Sequence, residues 1–348
     1  MKMIKTLAAA SFLTLISSAH ALGVKVELRR LEATYELASL SMPWATVVHE
    51  YKSRTLYSNS LGLGWCNAIH VKDGGKDVHI DLETRAVING QAITIENCGS
   101  RKEIGDANRF EVEANFRASA QGRPLRDLAK NAIPVELTSP STYETVRLGV
   151  KQIEVWQPGM AIPSKTYDWD GNLTSVAGMP VQLGADGRVQ SITGPSDGAI
   201  TFSYQGAALQ SVSSSGGYKA QFEVKDGELA AIDNAWRKRY ELSYSPGRNL
   251  QTVRYPDNTQ FTFFYDEKAD TVTGFLNRNG CMETYSHIAG QDVNHYKVQA
   301  TLMCNGTLTQ DRTASFVFAP DGTLLEEKES VLKATRSEEM REKVYPKD

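Results

Sequence analysis

Beyond its first 21 residues the chain has no run approaching 18 apolar residues, the minimum expected of a helix that crosses a bilayer. It contains no Gly-x-Ser-x-Gly, His-Glu-x-x-His or Walker-type phosphate loop, so the common local signatures of acyl transfer, zinc-dependent hydrolysis and nucleotide hydrolysis are missing. Gly62-Leu63-Gly64 lacks the third glycine and the strand–helix–strand setting of a dinucleotide site. No long basic run occurs, and 38 Lys+Arg are set against 41 Asp+Glu. That balance argues against nucleic acid as the main partner and gives no support for an anionic membrane. Cysteine is scarce, at four residues (Cys66, Cys98, Cys281 and Cys304), and none forms a Cys-x-x-Cys pair. His70 lies near Cys66, and His287 and His295 lie between the last two cysteines, but no His-x-x-x-His spacing accompanies them. This pattern assigns no metal ligand. No cofactor-binding or catalytic residue is assigned either, and the reading is of a protein that is not an enzyme.

What is present at the start of the chain reads as an address. Lys2 and Lys5 precede the largely apolar run Leu7–Ile16, and Ala19 and Ala21 occupy the −3 and −1 positions of a signal-peptidase site. A leader over 1–21, cleaved between Ala21 and Leu22, is expected. Its apolar run is too short to span a hydrocarbon core of roughly 30 Å. The position just after the site is Leu22 and not a cysteine, which disfavours a lipid anchor, so the mature chain is expected in the periplasm or secreted. In that setting four cysteines imply two disulfides. Three pairings are open, and the clustering of the cysteines in sequence suggests Cys66 with Cys98 and Cys281 with Cys304. A Cys66–His70 nucleophile and base is the less favoured alternative.

From Tyr167 onward a phrase repeats. Two aromatic or apolar residues separated by one spacer lead into a polar turn, often Asp-Gly, and then an apolar pair three positions apart. Copies read Tyr167-Asp168-Trp169 before Leu173 and Val176; Asp186-Gly187 before Val189 and Ile192; Phe202-Ser203-Tyr204 before Leu209 and Val212. They continue as Phe222-Glu223-Val224 with Asp226-Gly227 before Leu229 and Ile232, Leu242-Ser243-Tyr244 before Leu250 and Val253, and Phe263 and Tyr265 before Val272 and Phe275. A degenerate copy is Phe316-Val317-Phe318 with Asp321-Gly322 before Leu324. A period of about twenty residues marks units that bury their apolar faces only against neighbours. Alternation such as Tyr218, Ala220, Phe222, Val224 and Phe261, Phe263, Tyr265 makes the units strands, and Asp-Gly supplies hairpin turns. The expected fold is all-β, a long twisted antiparallel sheet of hairpins, with a β-sandwich as the alternative.

These repeats resemble the YD repeat of RHS-type proteins, with Tyr167-Asp168 and Tyr265-Asp266 as literal matches. Upstream, Tyr51-Lys52-Ser53-Arg54 followed by Leu61-Gly62-Leu63-Gly64-Trp65 is similar to an element that precedes the repeats in bacterial RHS proteins. The resemblance covers residues 45–75 and 165–275. It implies a β-ribbon that spirals, in long relatives, into a hollow shell around a toxin. This chain has too few copies for such a shell and lacks the Asp-Pro-x-Gly-Leu element at which relatives release their toxin.

The chain is accordingly divided into a leader (1–21), an N-terminal β-rich region (22–150), the repeat sheet (151–322) and a charged helical or frayed tail (323–348). In the N-terminal region, Ile80 and Leu82 alternate with His79, Asp81 and Glu83, and Asn89-Gly90 reads as a hairpin turn. A helix is expected over 124–132, stopped by Pro134, and a Ser/Thr/Pro loop over 138–142. Tyr167, Trp169, Phe202, Tyr204, Phe263 and Tyr265 are the candidate binding aromatics, with the packed side of the sheet as their other reading. The turn carboxylates Asp168, Asp170, Asp186, Asp226 and Asp321 are explained by turn chemistry. The function expected is a scaffold binding a protein or glycan at the cell envelope. Its alternatives are a glycan hydrolase using turn carboxylates and an accessory fragment of a larger RHS shell.

Overall fold

The computed structural model describes residues 23–55, 57–73, 76–90, 92–98, 114–117, 124–130, 135–138, 144–292, 294–320, 324–333 and 338–344. The expected leader with its expected Ala21–Leu22 cleavage site, Pro134, most of the 138–142 loop and the Asp321-Gly322 turn lie outside the described residues.

The N-terminal region opens with β1 (Gly23–Glu27), β2 (Glu32–Ser41) and β3 (Ala45–Lys52), then a small hairpin, β4 (Ser58–Asn59) and β5 (Gly62–Leu63), then β6 (Trp65–Asp73) and β7 (Lys76–Asp81). Strands β1-β2-β3-β6-β7 form a five-stranded sheet. One of its faces carries Tyr35, Leu37, Val47, Tyr51, Trp65, Ile69 and Ile80, all buried; the other carries Glu36, Glu50, His70 and His79, all partly exposed. Period-2 alternation therefore separates an apolar face from a charged one, as pleating requires. A second, three-stranded sheet comprises β8 (Arg85–Asn89), β9 (Ala92–Glu96) and β10 (Ala114–Arg117), with β8 and β9 joined at the Asn89-Gly90 turn. The helix α1 (Leu125–Lys130) follows, burying Leu125, Leu128 and Ala129 as their spacing suggests.

The rest is one long ladder. It begins with β11 (Val135–Thr138), β12 (Thr145–Leu148), β13 (Ile153–Trp156), β14 (Lys165–Tyr167) and β15 (Leu173–Val176). It continues with β16 (Met179–Leu183), β17 (Val189–Thr193), β18 (Ala199–Gln205), β19 (Ala208–Ser214), β20 (Lys219–Lys225) and β21 (Glu228–Asp233). Then come β22 (Arg239–Tyr244), β23 (Leu250–Arg254), β24 (Gln260–Asp266), β25 (Thr271–Leu276), β26 (Met282–Asp292), β27 (His295–Cys304) and β28 (Thr307–Phe318). The last two strands are β29 (Leu324–Lys333) and β30 (Glu338–Val344). From β11 to β30 each strand pairs antiparallel with the next, and with β4 and β5 they make a 22-stranded sheet. No helix among the described residues is long and apolar enough to cross a membrane.

The repeat has a structural signature that its sequence only hinted at. In each copy the apolar anchor pairs with the residue at a register slip: Leu173 with Tyr167, Val189 with Leu183, Leu209 with Tyr204, Leu229 with Val224, Leu250 with Tyr244 and Val272 with Tyr265. Each slip bends the ribbon and increases its twist. Where the slipped residue is a tyrosine in the later copies, its hydroxyl reaches back to the previous anchor. Tyr204 donates to the Val189 carbonyl (2.9 Å), Tyr244 to Leu229 (2.9 Å) and Tyr265 to Leu250 (2.7 Å).

The apolar face of the five-stranded sheet seats against this ribbon. Tyr35 meets Phe261 edge-on, the Trp65 indole donates to the Tyr244 hydroxyl at 2.9 Å, and one core cluster runs from Leu31 to Leu324. A slipped ladder is locally disrupted, and the N-terminal region takes up three anchor amides at such points. Leu209 donates to the Ser60 carbonyl (2.9 Å), Leu250 to the Tyr51 hydroxyl (2.8 Å) and Val272 to the Leu31 carbonyl (2.7 Å).

Two sequence expectations are corrected. The charged tail is neither helical nor frayed over its described residues: Leu324–Lys333 pairs along its length with β28, and Glu338–Val344 pairs with β29. Its Glu- and Lys-rich composition favours a helix only weakly, and a ready strand edge overrides that preference. Tyr218 lies in the turn before β20 and is 58% exposed, so only Ala220 and Phe222 of its alternating set are buried.

Candidate functional site

Both disulfides form with the pairing that the sequence clustering suggested, Cys66–Cys98 and Cys281–Cys304. Cys66 is thereby excluded as a nucleophile. The first bridge holds the segment after β9 against β6, beside a cavity lined by Asn67, Glu96 and Asn97.

That cavity, of about 950 Å³, lies at the seam between the two halves of the molecule. The N-terminal wall includes Tyr57, Asn59, Asn67 and Glu83; the repeat wall includes Asp186, Arg188, Phe202 and Tyr204. Glu83 lies two residues beyond the end of β7, just before Thr84 and Ala86 meet Tyr167 and Gly171 of the ribbon. Its carboxylate accepts hydrogen bonds from Asn59 Nδ2 at 2.8 Å to each oxygen and from Asn67 Nδ2. Burial pushes its pKa up to about 7, against the lowering effect of the Asn59, Tyr57 and Asn67 hydrogen bonds. Desolvation penalises the charged form more than these donors reward it.

Behind Glu83 runs a buried polar chain. Asn67 Oδ1 lies 2.8 Å from His49 Nδ1, and His49 Nε2 lies 2.8 Å from Ser39 Oγ. His49 is fully buried, and burial pushes its pKa down to about 4, so it is neutral at pH 7. It orients Asn67 and adds no charge to the site. On the opposite wall Arg188 is fixed by Asp186 (Nε to Oδ2, 2.7 Å) and by the carbonyls of Ala207 (2.8 Å) and Gly206 (2.9 Å). Its guanidinium stacks 4.2 Å above the Tyr204 ring. The wall thus presents a held cation over an aromatic face.

The sequence-derived candidates are dispersed. Phe202, Tyr204 and Asp186 come together at this cavity. Tyr167 is buried, its hydroxyl 2.7 Å from Thr84 Oγ1. The Trp169 indole donates to the Gly149 carbonyl at 3.2 Å. Phe263 packs among Phe261 and Phe275, and Tyr265 is spent on the Leu250 carbonyl. Asp168 caps its own turn, accepting from the amides of Asp170 and Asn172 at 2.9 Å. Asp226 occupies a left-handed turn position, φ 52°. Asp321 lies outside the described residues. Glu83, Asn59, Asn67 and Arg188 carry no site signal in the sequence: nothing in their local sequence distinguishes them from surface polar residues, the first three meet through folding of the N-terminal region, and only the docking of the two halves sets Arg188 opposite them.

Of the two glycines of the Leu61–Trp65 element, Gly62 makes that docking possible and Gly64 allows close packing within the N-terminal region. Gly62 sits at φ 110°, where a Cβ would lie 2.5 Å from the Gly227 carbonyl oxygen, and Gly64 at φ 81°, with a Cβ 2.7 Å from the Tyr51 ring. A cluster of Glu36, His70 and His79 on the charged face of the five-stranded sheet has the geometry to hold a metal ion.

No protein-family model and no curated protein matches the chain. Among solved structures, the chain is similar to the crystal structure of TcdB2-TccC3 at 12% identity and a TM-score of 0.34, covering 88% of this chain and 21% of that one. A second crystal structure, TcdB2-TccC3-TEV, aligns at 10% identity and a TM-score of 0.26, covering 91% and 18%. The chain spans about a fifth of the length of these proteins.

Proposed function

We propose that this chain is a short, exported YD-repeat scaffold that binds a glycan in the seam cavity at the cell envelope. The observation carrying this reading is the cavity's composition: amide and carboxylate groups of Asn59, Asn67 and Glu83 face Arg188 and the Tyr204 ring across about 950 Å³. A few convergent polar groups beside an aromatic face suit a ligand rich in hydroxyls. The leader over 1–21 and the two disulfides support export. The test is an oligosaccharide array probed with the full chain and with Ala207→Trp, which places a bulky side chain at an exposed turn lining the cavity. Retention of a defined glycan by the wild type, lost in the folded variant, supports the reading. Absence of any retained glycan sinks it.

A second reading rests on Glu83. A carboxyl with its pKa near 7 has the property of a glycosidase general acid, and Asp186 lines the same cavity. Hydrolysis of an array hit by the wild type, abolished by Glu83→Gln without loss of binding, would convert the scaffold reading into an enzymatic one.

A further inference from the structure

We infer that the charged face of the five-stranded sheet is a zinc-binding site built from Glu36, His70 and His79. It is separate from the seam cavity, and Glu83 takes no part in it.

The ligand atoms come from three strands. His70 on β6 and His79 on β7 are direct cross-strand partners, which puts both imidazoles on the same side of the sheet. Glu36, on β2, reaches the pair across β3. His70 Nε2 lies 3.0 Å from His79 Nδ1 and 3.3 Å from Glu36 Oε2, and His79 Nδ1 lies 3.6 Å from Glu36 Oε2. Tetrahedral zinc with N and O ligands at about 2.0–2.1 Å places its ligand atoms about 3.3–3.4 Å apart. The three edges bracket that value, so the triangle already has the dimensions of one face of the coordination polyhedron.

The surroundings select the nitrogen. His79 Nε2 lies 3.1 Å from Asp81 Oδ1, within donating distance. A proton held there leaves the Nδ1 lone pair facing His70 and Glu36, which is the carboxylate–histidine–metal arrangement that fixes tautomer and ring orientation. Gln157 Nε2 donates to the His79 carbonyl at 3.2 Å, tying that strand position to the segment before β14. Among the described residues, Lys52 is engaged with Glu50 at 3.0 Å, and Lys165 interacts with Asp81 and pairs with Glu144 at 4.0 Å. Three carboxylates, Glu36, Glu50 and Asp81, set against two ammonium groups leave the imidazole pair in a field that favours a cation.

Access is adequate, with the side chains of Glu36, His70 and His79 exposed by 19%, 24% and 34%. Three protein ligands with solvent on the outer side match an open zinc site, a water completing the tetrahedron. The site is invisible as a sequence motif because its two histidines lie on opposite arms of a hairpin and the carboxylate lies far upstream.

The test uses the purified full chain freed of metal and titrated with Zn²⁺ by calorimetry at pH 7.4. One ion bound per chain is expected. His70→Gln and Glu36→Gln should each weaken binding at least tenfold, and Asp81→Asn about 10- to 100-fold by loosening its hold on the His79 ring. His287→Gln, on a distant strand, should leave it unchanged. Variants are compared only where their circular dichroism and metal-free melting match the wild type. As a readout that needs no variant, zinc-edge anomalous scattering from wild-type crystals should place one peak within bonding distance of His70 Nε2 and His79 Nδ1. No binding by the folded wild type would overturn the site. So would binding indifferent to His70→Gln, or an anomalous peak on the Asp81 side of His79.

Discussion

At Glu83 two energies oppose each other. Hydrogen bonds from Asn59 and Asn67 favour the anion, while burial against the seam favours the neutral acid and prevails, setting the pKa at about 7 against a usual 4.5. The unfolded chain ionises first as pH rises, so between about 4.5 and 7 the native state holds the extra proton. Stability from this group is present below that window and is lost as pH rises through it. Glu83→Gln keeps an acceptor for Asn59 and removes the titration. Urea midpoints from pH 4.5 to 8 should show the wild type losing up to about 3 kcal/mol relative to the variant, since each tenfold change in proton affinity is worth about 1.4 kcal/mol. A constant difference across that range would contradict the assignment. Tyr244 offers a second test at this scale. Its hydroxyl donates to the Leu229 carbonyl and accepts from the Trp65 indole, which is fully buried. Tyr244→Phe strands both partners and should cost about 1–3 kcal/mol in urea unfolding.

At the scale of elements, the hairpin is the unit and its slip is the joint. The anchor spacing of 16 to 22 residues, the Asp-Gly turns and the apolar alternation were all legible in the sequence, because period-2 patterning and positive-φ turns are local properties. The slips were not legible, since a bulge depends on which residues face each other across the hairpin. The tail departs from its local composition for a related reason: Glu326 to Lys333 has helical composition, and its strand state comes from pairing with β28. Glycines show where two elements meet. Gly171 sits at φ 86°, and a Cβ there would lie 2.0 Å from the Ala86 carbonyl oxygen of β8; Gly187 sits at φ 78° with nothing nearby. Gly187→Ala should cost about 1–2 kcal/mol, the strain of a left-handed alanine. Gly171→Ala should cost distinctly more by the same thermal or urea measurement, because β8 must also retreat. Equal costs would mean that β8 does not dock there. The Cys281–Cys304 bridge ties the start of β26 to the end of β27 across 23 residues. Replacing both cysteines with serine should cost about 3 kcal/mol in the chain-entropy description.

At the scale of the molecule, the apolar face of the five-stranded sheet packs on the ribbon, through Tyr35 on Phe261 and Trp65 on Tyr244, and the cavity with its candidate ligand groups lies where that packing leaves a gap. The site was therefore legible only in fragments: Phe202, Tyr204 and Asp186 stood out as members of the repeat, whereas Glu83 and Arg188 acquire meaning only as opposite walls of one cavity, over a hundred positions apart in the chain. The measurement that tests this most directly is amide hydrogen exchange on the full chain, read at Leu209, Leu250 and Val272. These anchor amides donate to Ser60, Tyr51 and Leu31 of the N-terminal region. If the N-terminal sheet and the ribbon are one cooperative body, the three amides should exchange only with global unfolding, at the same free energy as the core of β2 and β3. Fast exchange at all three, with β18 to β25 otherwise protected, would mean that the N-terminal sheet does not seat on the ribbon, and the seam cavity would have no place in the folded protein.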